Sequence, residues 1–134
     1  MINSQLQKNR YLETAVQTAT PAQLLIMLCD GAVRFTRLAI EAMKNHQYED
    51  ANRNLYRTQD IIKEFMVTLD QNSPIAEQLM PLYEYYLQRL IEANVKKQIE
   101  PAEEVLNYLI ELKETWFQAA KIAATGTPGV VTHG

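Results

Sequence analysis

The chain has 134 residues, a formal net charge of −3, one cysteine, four glycines and five prolines, which bounds it to one globular domain with a real core and few helix breakers. With 13 Lys plus Arg against 16 Asp plus Glu there is no basic stripe for nucleic acid, and no apolar run approaches the roughly 20 residues that cross a membrane. The lone Cys29 excludes an internal disulfide, and the polar opening MINSQLQKNRY lacks a signal peptide's apolar middle, so the expectation is a cytoplasmic protein without membrane insertion.

Residues 1–19 are a semi-polar leader with spaced apolar side chains (Ile2, Leu6, Tyr11, Leu12, Val16), expected to cap the remainder. Thr20 then supplies a capping hydroxyl and Pro21 takes the first helical position, where no backbone bond is lost; a helix is predicted from Pro21 to about Lys44. The stretch NHQYED leads into a second helix ending near Leu69. Ser73 and Pro74 cap and open a third, reaching about Lys96, which Pro81 should kink or split. QIEP separates it from a fourth helix, Pro101 to about Ala124, and the tail 125–134, TGTPGVVTHG, reads as disordered. Each helix carries an apolar stripe spaced alternately by three and four. The third shows it most plainly, with Ala76, Leu79, Tyr83, Tyr86, Leu90 and Ala93. Four such stripes with short connections describe an all-α, antiparallel four-helix bundle over residues 20–124, with a short N-terminal capping segment.

The first helix is unusually apolar, with six apolar residues in a row from Leu24 to Cys29. On a wheel of about 100° per residue, Leu24, Leu28, Gly31, Phe35, Leu38 and Ala42 cluster on one side and are expected to face the bundle. Ile26, Cys29, Val33 and Ile40 fall on the opposite side, with Leu25, Ala32, Ala39 and Met43 on the flank between them. Two readings of this second stripe stand: the leader packs on it, or it is a docking groove for an amphipathic partner segment. Gly31 in mid-helix points to close approach of a neighbouring backbone.

Catalytic or ligand chemistry is thin. His46 lies at a helix end and His133 in the tail, and no Glu-x-x-His pair marks a di-iron bundle. There is no glycine-rich phosphate loop. Cys29 sits among Ile26, Met27 and Leu28 and reads as a buried structural thiol. Glu103 and Glu104 complement the start of the fourth helix. No cofactor, metal or catalytic residue is expected. A phosphotransfer role would need His46 exposed in mid-helix, where the pattern does not put it. Tyr83 and Tyr86 lie on the core stripe, whereas Tyr85 faces outward and is a candidate contact residue.

YLETAVQTATPAQLLIMLCDGAVRF (Tyr11 to Phe35) resembles the opening signature of the FliS flagellar export chaperones, and three later stretches agree in order: ANRNLYRTQDIIKEF, LYEYYLQRLIEAN and EEVLNYLIELKETW. Cys29 stands where that family usually carries an aromatic residue, and Tyr86 where methionine is common. The resemblance implies a cytoplasmic helical bundle that holds the disordered C-terminal segment of flagellin, in helical pieces laid along apolar grooves, and prevents its premature polymerisation before export. It also implies that the N-terminal segment covers part of that surface, and it carries a partner role onto Tyr11. With the wheel, the expected partner-binding set is Tyr11, Ile26, Cys29, Val33, Ile40 and Tyr85. Export-apparatus components, an anti-sigma factor and a homodimer stay open as further associations. The alternative is a helical adaptor that self-associates through the second stripe.

Overall fold

The computed structural model describes Arg10 and residues 19–124. Four helices run through residues 19–124: α1 (Pro21–Lys44), α2 (Tyr48–Thr68), α3 (Ala76–Lys96) and α4 (Ile99–Ala124). α1 packs on α2 and α4, and α3 packs on the same two, so the helices stand in a square in chain order. Their short connections make consecutive helices antiparallel, as expected of the bundle. The rest of the leader, including Tyr11, and the tail lie outside the described residues.

Local chemistry sets the ends. At the start of α1 a reciprocal capping box forms: Gln23 N–H donates to Thr20 Oγ1 at 3.1 Å, and Thr20 N–H donates to Gln23 Oε1 at 2.9 Å. At its end, His46 takes a left-handed conformation (φ 57°), with His46 N–H on Met43 O at 3.0 Å and Gln47 N–H on Ala42 O at 2.8 Å. That pair of bonds satisfies the last carbonyls, so α2 begins at Tyr48, inside the segment expected to be loop. Lys97 (φ 54°) ends α3 in the same way, with Gln98 N–H on Ala93 O at 3.1 Å. Both left-handed turns therefore sit at one end of the bundle.

The prolines depart from expectation. Pro101 lies at the third position of α4, where backbone donors have no intrahelical partner to lose, so the helix starts earlier, at Ile99. Ser73 and Pro74 belong to a turn ahead of α3, which starts at Ala76. Pro81 does not split this helix, which is continuous from Ala76 to Lys96. Its missing donor frees only the carbonyl of exposed Glu77, one turn in from the start, where water can take over.

All six stripe residues of α3 are buried, and Ala51, Leu55, Thr58, Ile62 and Phe65 of α2 meet them across the core. Aromatic rings run through it from Phe65 to Tyr83 (5.5 Å), Tyr83 to Tyr86 (6.4 Å) and Tyr86 to Tyr108 (5.5 Å). In α4 the line holds through Val105 and Leu109 and fades through half-buried Leu112 and Trp116 to exposed Ala119.

α1 is oriented differently from the wheel expectation. Its buried face is Cys29, Ala32, Val33, Thr36, Ala39, Ile40, Ala42 and Met43. The centre of that face is the supposed flank of Ala32, Ala39 and Met43. The two supposed stripes are its margins: Cys29, Val33 and Ile40 are core, whereas Phe35 is half-buried and Leu38 exposed. The cause is the position of α1 between two neighbours, which asks for one broad apolar arc. Small residues there let α1 approach α2 and α4 more closely than α3 does with its bulky Tyr83 and Tyr86. Gly31 meets the side chain of Ile61 rather than a backbone, since a Cβ would stand 3.4 Å from Ile61 Cδ1. Thr36 bridges to α2 instead, its hydroxyl donating to Ala32 O at 2.7 Å and lying 3.1 Å from Thr58 Oγ1.

Candidate partner-binding surface

With Cys29, Val33 and Ile40 in the core, apolar surface open to a partner has to be found elsewhere. Part of it lies along two seams, while Leu38, Val67, Ile75 and Leu82 are exposed outside them. In the α2–α3 seam, Asn94 Nδ2 of α3 donates to Asn52 Oδ1 of α2 at 2.6 Å. Seven residues is two helical turns, so Gln59 follows Asn52 on the same face of α2, and Leu87 precedes Asn94 on the same face of α3. Ile91 lies between Leu87 and Asn94, and Val95 one turn beyond Ile91; they are 48% and 75% exposed. Gln59 is buried, and its Nε2 has no hydrogen-bond partner. Such an orphan donor costs about 1–3 kcal/mol, and it lies beneath the surface of the seam.

The α1–α4 seam is marked by an ion pair, Lys113 Nζ to Asp30 Oδ1 at 2.6 Å. Ile110 and Phe117 flank Lys113 at helical spacing and are exposed, Phe117 by 45%. Ile26 sits one turn before Asp30 and is half-buried. Of the residues expected from the sequence, Ile26 is therefore at a seam, and Cys29, Val33 and Ile40 are beneath the surface. Leu87, Ile91, Val95, Ile110 and Phe117, which line the seams, are not in the set expected from the sequence, although Leu87–Ile91–Val95 is legible as an i, i+4 row beside the core stripe.

Tyr85 is exposed, yet its hydroxyl donates to Glu104 at 2.7 Å, and Arg89 Nε donates to the same carboxylate at 2.6 Å. Arg89 also pairs with Glu92 at 2.7 Å. Glu104 thus ties α3 to α4 rather than serving the start of α4. Tyr85, then Arg89, hold the Glu104 carboxyl below the usual carboxylate range, and Arg89 does the same to Glu92. Cys29 is sealed in the core; burial pushes its thiol up to about 12, which makes it inert as a nucleophile. Burial likewise raises Tyr83 to about 12. Among the described residues no group of three or more His, Cys, Asp or Glu is placed to hold a metal ion, and no helix is long and apolar enough to cross a membrane.

A family model described as flagellar protein FliS matches residues 2–123, nearly the whole chain. The chain belongs to the FliS family. Among its FliS relatives, the flagellar secretion chaperone FliS of Bacillus subtilis is 37% identical over 109 residues, 81% of this chain and 82% of the relative. The flagellar secretion chaperone FliS of Campylobacter jejuni is 30% identical over 117 residues, 86% of this chain and 91% of the relative. That of Escherichia coli is 29% identical over 108 residues, 78% and 79% of the two chains. The similarity to FliS runs through all four helices, so it includes both seams.

Proposed function

We propose that this chain is a cytoplasmic flagellar export chaperone that captures the disordered C-terminal segment of flagellin and keeps it from polymerising before export. The observation that carries the reading is the pair of seams on a chain of the FliS family, where Ile91, Val95, Ile110 and Phe117 lie at helical spacing on the outside of a bundle that already has a full core. Large apolar side chains in rows suit the apolar face of an amphipathic segment. Ordering a disordered segment costs several kcal/mol, and burying such rows over a long contact supplies it. Capture and release then need only competition for the surface and no chemical step.

The test is co-elution in size-exclusion chromatography of the full chain with flagellin that is intact or lacks its C-terminal segment. A one-to-one complex with intact flagellin only is the expected result. Equal capture of both forms, or of neither, contradicts it. Self-association with no capture would favour the adaptor reading instead.

A further inference from the structure

The two left-handed turns bring the Asn52–Asn94 end of the α2–α3 seam together with Met43, Tyr48 and Lys97. Met43, Ala51 and Ala93, all buried, form the floor of a cavity of about 270 Å³, and Tyr48, Asn52, Asn94 and Lys97 stand on its rim. His46 Nδ1 lies 3.0 Å from the Tyr48 hydroxyl, and Lys97 Nζ sits 5.4 Å from the centre of the Tyr48 ring, so both turns brace the rim. The volume is just below the range of about 300–1,000 Å³ typical of whole small-molecule ligands. It has room for one large side chain.

The rim carries specific chemistry. One hydrogen bond joins Asn94 Nδ2 to Asn52 Oδ1. That leaves Asn52 Nδ2 as a donor and Asn94 Oδ1 as an acceptor, on two residues of one rim and without another protein partner among the described residues. A donor and an acceptor on one rim complement the N–H and C=O of a single residue in an extended chain, which point to the same side. Inside a helix the backbone N–H and C=O are already bonded to each other, so only an extended stretch offers both. The alanines at positions 51 and 93 keep the floor low enough for a backbone to come near.

We propose that this turn-end pocket anchors an extended, non-helical stretch of a bound peptide, taking one leucine- or phenylalanine-sized side chain onto the Ala51–Ala93 floor while Asn52 and Asn94 hold the backbone C=O and N–H of one extended residue. The identity of that peptide as part of flagellin rests on the chaperone reading; the pocket's chemistry does not.

The first measurement is an NMR titration of the full labelled chain with N-acetyl-leucine-N′-methylamide, beside its alanine counterpart. Saturable shifts confined to the Asn52 and Asn94 side-chain amides and the Ala51 and Ala93 methyls are expected, with the alanine compound at least about tenfold weaker. Asn52→Asp keeps the acceptor that faces Asn94 Nδ2 and turns the free donor into a second acceptor. It should leave thermal stability in place and weaken the leucine compound about tenfold. Absent or scattered shifts, equal binding of the alanine compound, or unchanged affinity in a folded Asn52→Asp chain each overturn the proposal. Should Asn52→Asp fail to fold, the wild-type shift map and the leucine preference decide. The same variant is then titrated with the C-terminal segment of flagellin. Wild-type capture that Asn52→Asp does not weaken overturns the pocket and spares the chaperone reading. Leucine binding at the pocket without capture of the segment does the reverse.

Discussion

Val33→Glu is the sharpest probe of how α1 sits in the bundle. Val33 is 6% exposed, between Cys29 and Thr36, which are both at 0%, and the Thr36 hydroxyl is already engaged with Ala32 O and Thr58. A carboxylate introduced there finds no local donor in the core; Arg34 and Arg37, exposed and lining one surface depression with Val33, are the cations nearest to a side chain bent toward the surface. An uncompensated buried charge costs about 3–5 kcal/mol, and pairing with either arginine would bring the effect to the lower end. At about 3–5 °C per kcal/mol for a chain of this length, thermal unfolding should drop by about 10–25 °C at neutral pH. Burial raises the folded-state pKa of the introduced carboxyl, and the charged form is the one penalised. The gap from wild type should therefore narrow as pH falls through that raised pKa toward the unfolded value of about 4.3. Phe35→Ala should cost less than the 3–5 kcal/mol of a fully buried phenylalanine, about 1–3 kcal/mol, because Phe35 is half-buried beneath Arg34 and Arg57. Scanning calorimetry of both variants at pH 7 and pH 5 decides. A Val33→Glu chain that melts with wild type while Phe35→Ala collapses would show that α1 is turned the other way, with Val33 in a groove.

Gly31→Ala should stabilise the fold by up to about 1 kcal/mol, since the new Cβ meets Ile61 Cδ1 at 3.4 Å and Phe35 Cε2 at 4.0 Å, both side-chain atoms; a lowered denaturant midpoint would mean α1 and α2 have no slack there. Wild type should lose stability as pH falls through the lowered pKa values of Glu92 and Glu104, because both carboxylates stabilise the fold only while ionised. Glu104→Gln should flatten that acid slope in thermal melts, and an unchanged slope would remove Glu104 from the account. Cys29 should resist a thiol reagent at pH 8 in the native chain and react once denaturant is added; fast stoichiometric reaction of the native chain would contradict its burial.

The four helices and their order are legible because caps and stripes agree with each other: Thr20 with Gln23, and the α3 row from Ala76 to Ala93 without an error. The orientation of α1 is not, and the reason is geometric. An apolar arc wider than half a turn has no readable centre, and weighting large side chains draws attention to its margins, whereas Ala32 and Ala39 mark its middle. Thr36 and Gln59 are equally opaque, since polar residues off the apolar stripe read as surface, whereas Thr58 falls on the three-and-four stripe of α2 with Ala51, Leu55, Ile62 and Phe65 and is buried with them. The exposed row of α3 could have been found; the turn-end pocket could not. Its walls come from Met43, from the first turns of α2 and from the last turn of α3, and only the two left-handed turns at His46 and Lys97 bring these together.

The most direct test of the central claim is calorimetric titration of the full chain with the isolated C-terminal segment of flagellin at several temperatures, with circular dichroism of the mixture. The seams predict saturable one-to-one binding, a negative heat-capacity change from apolar burial, and more helix in the mixture than in the sum of its parts. Heats that never saturate, or a complex with no heat-capacity change and no gain in helix, would contradict capture of a disordered segment on the apolar seams.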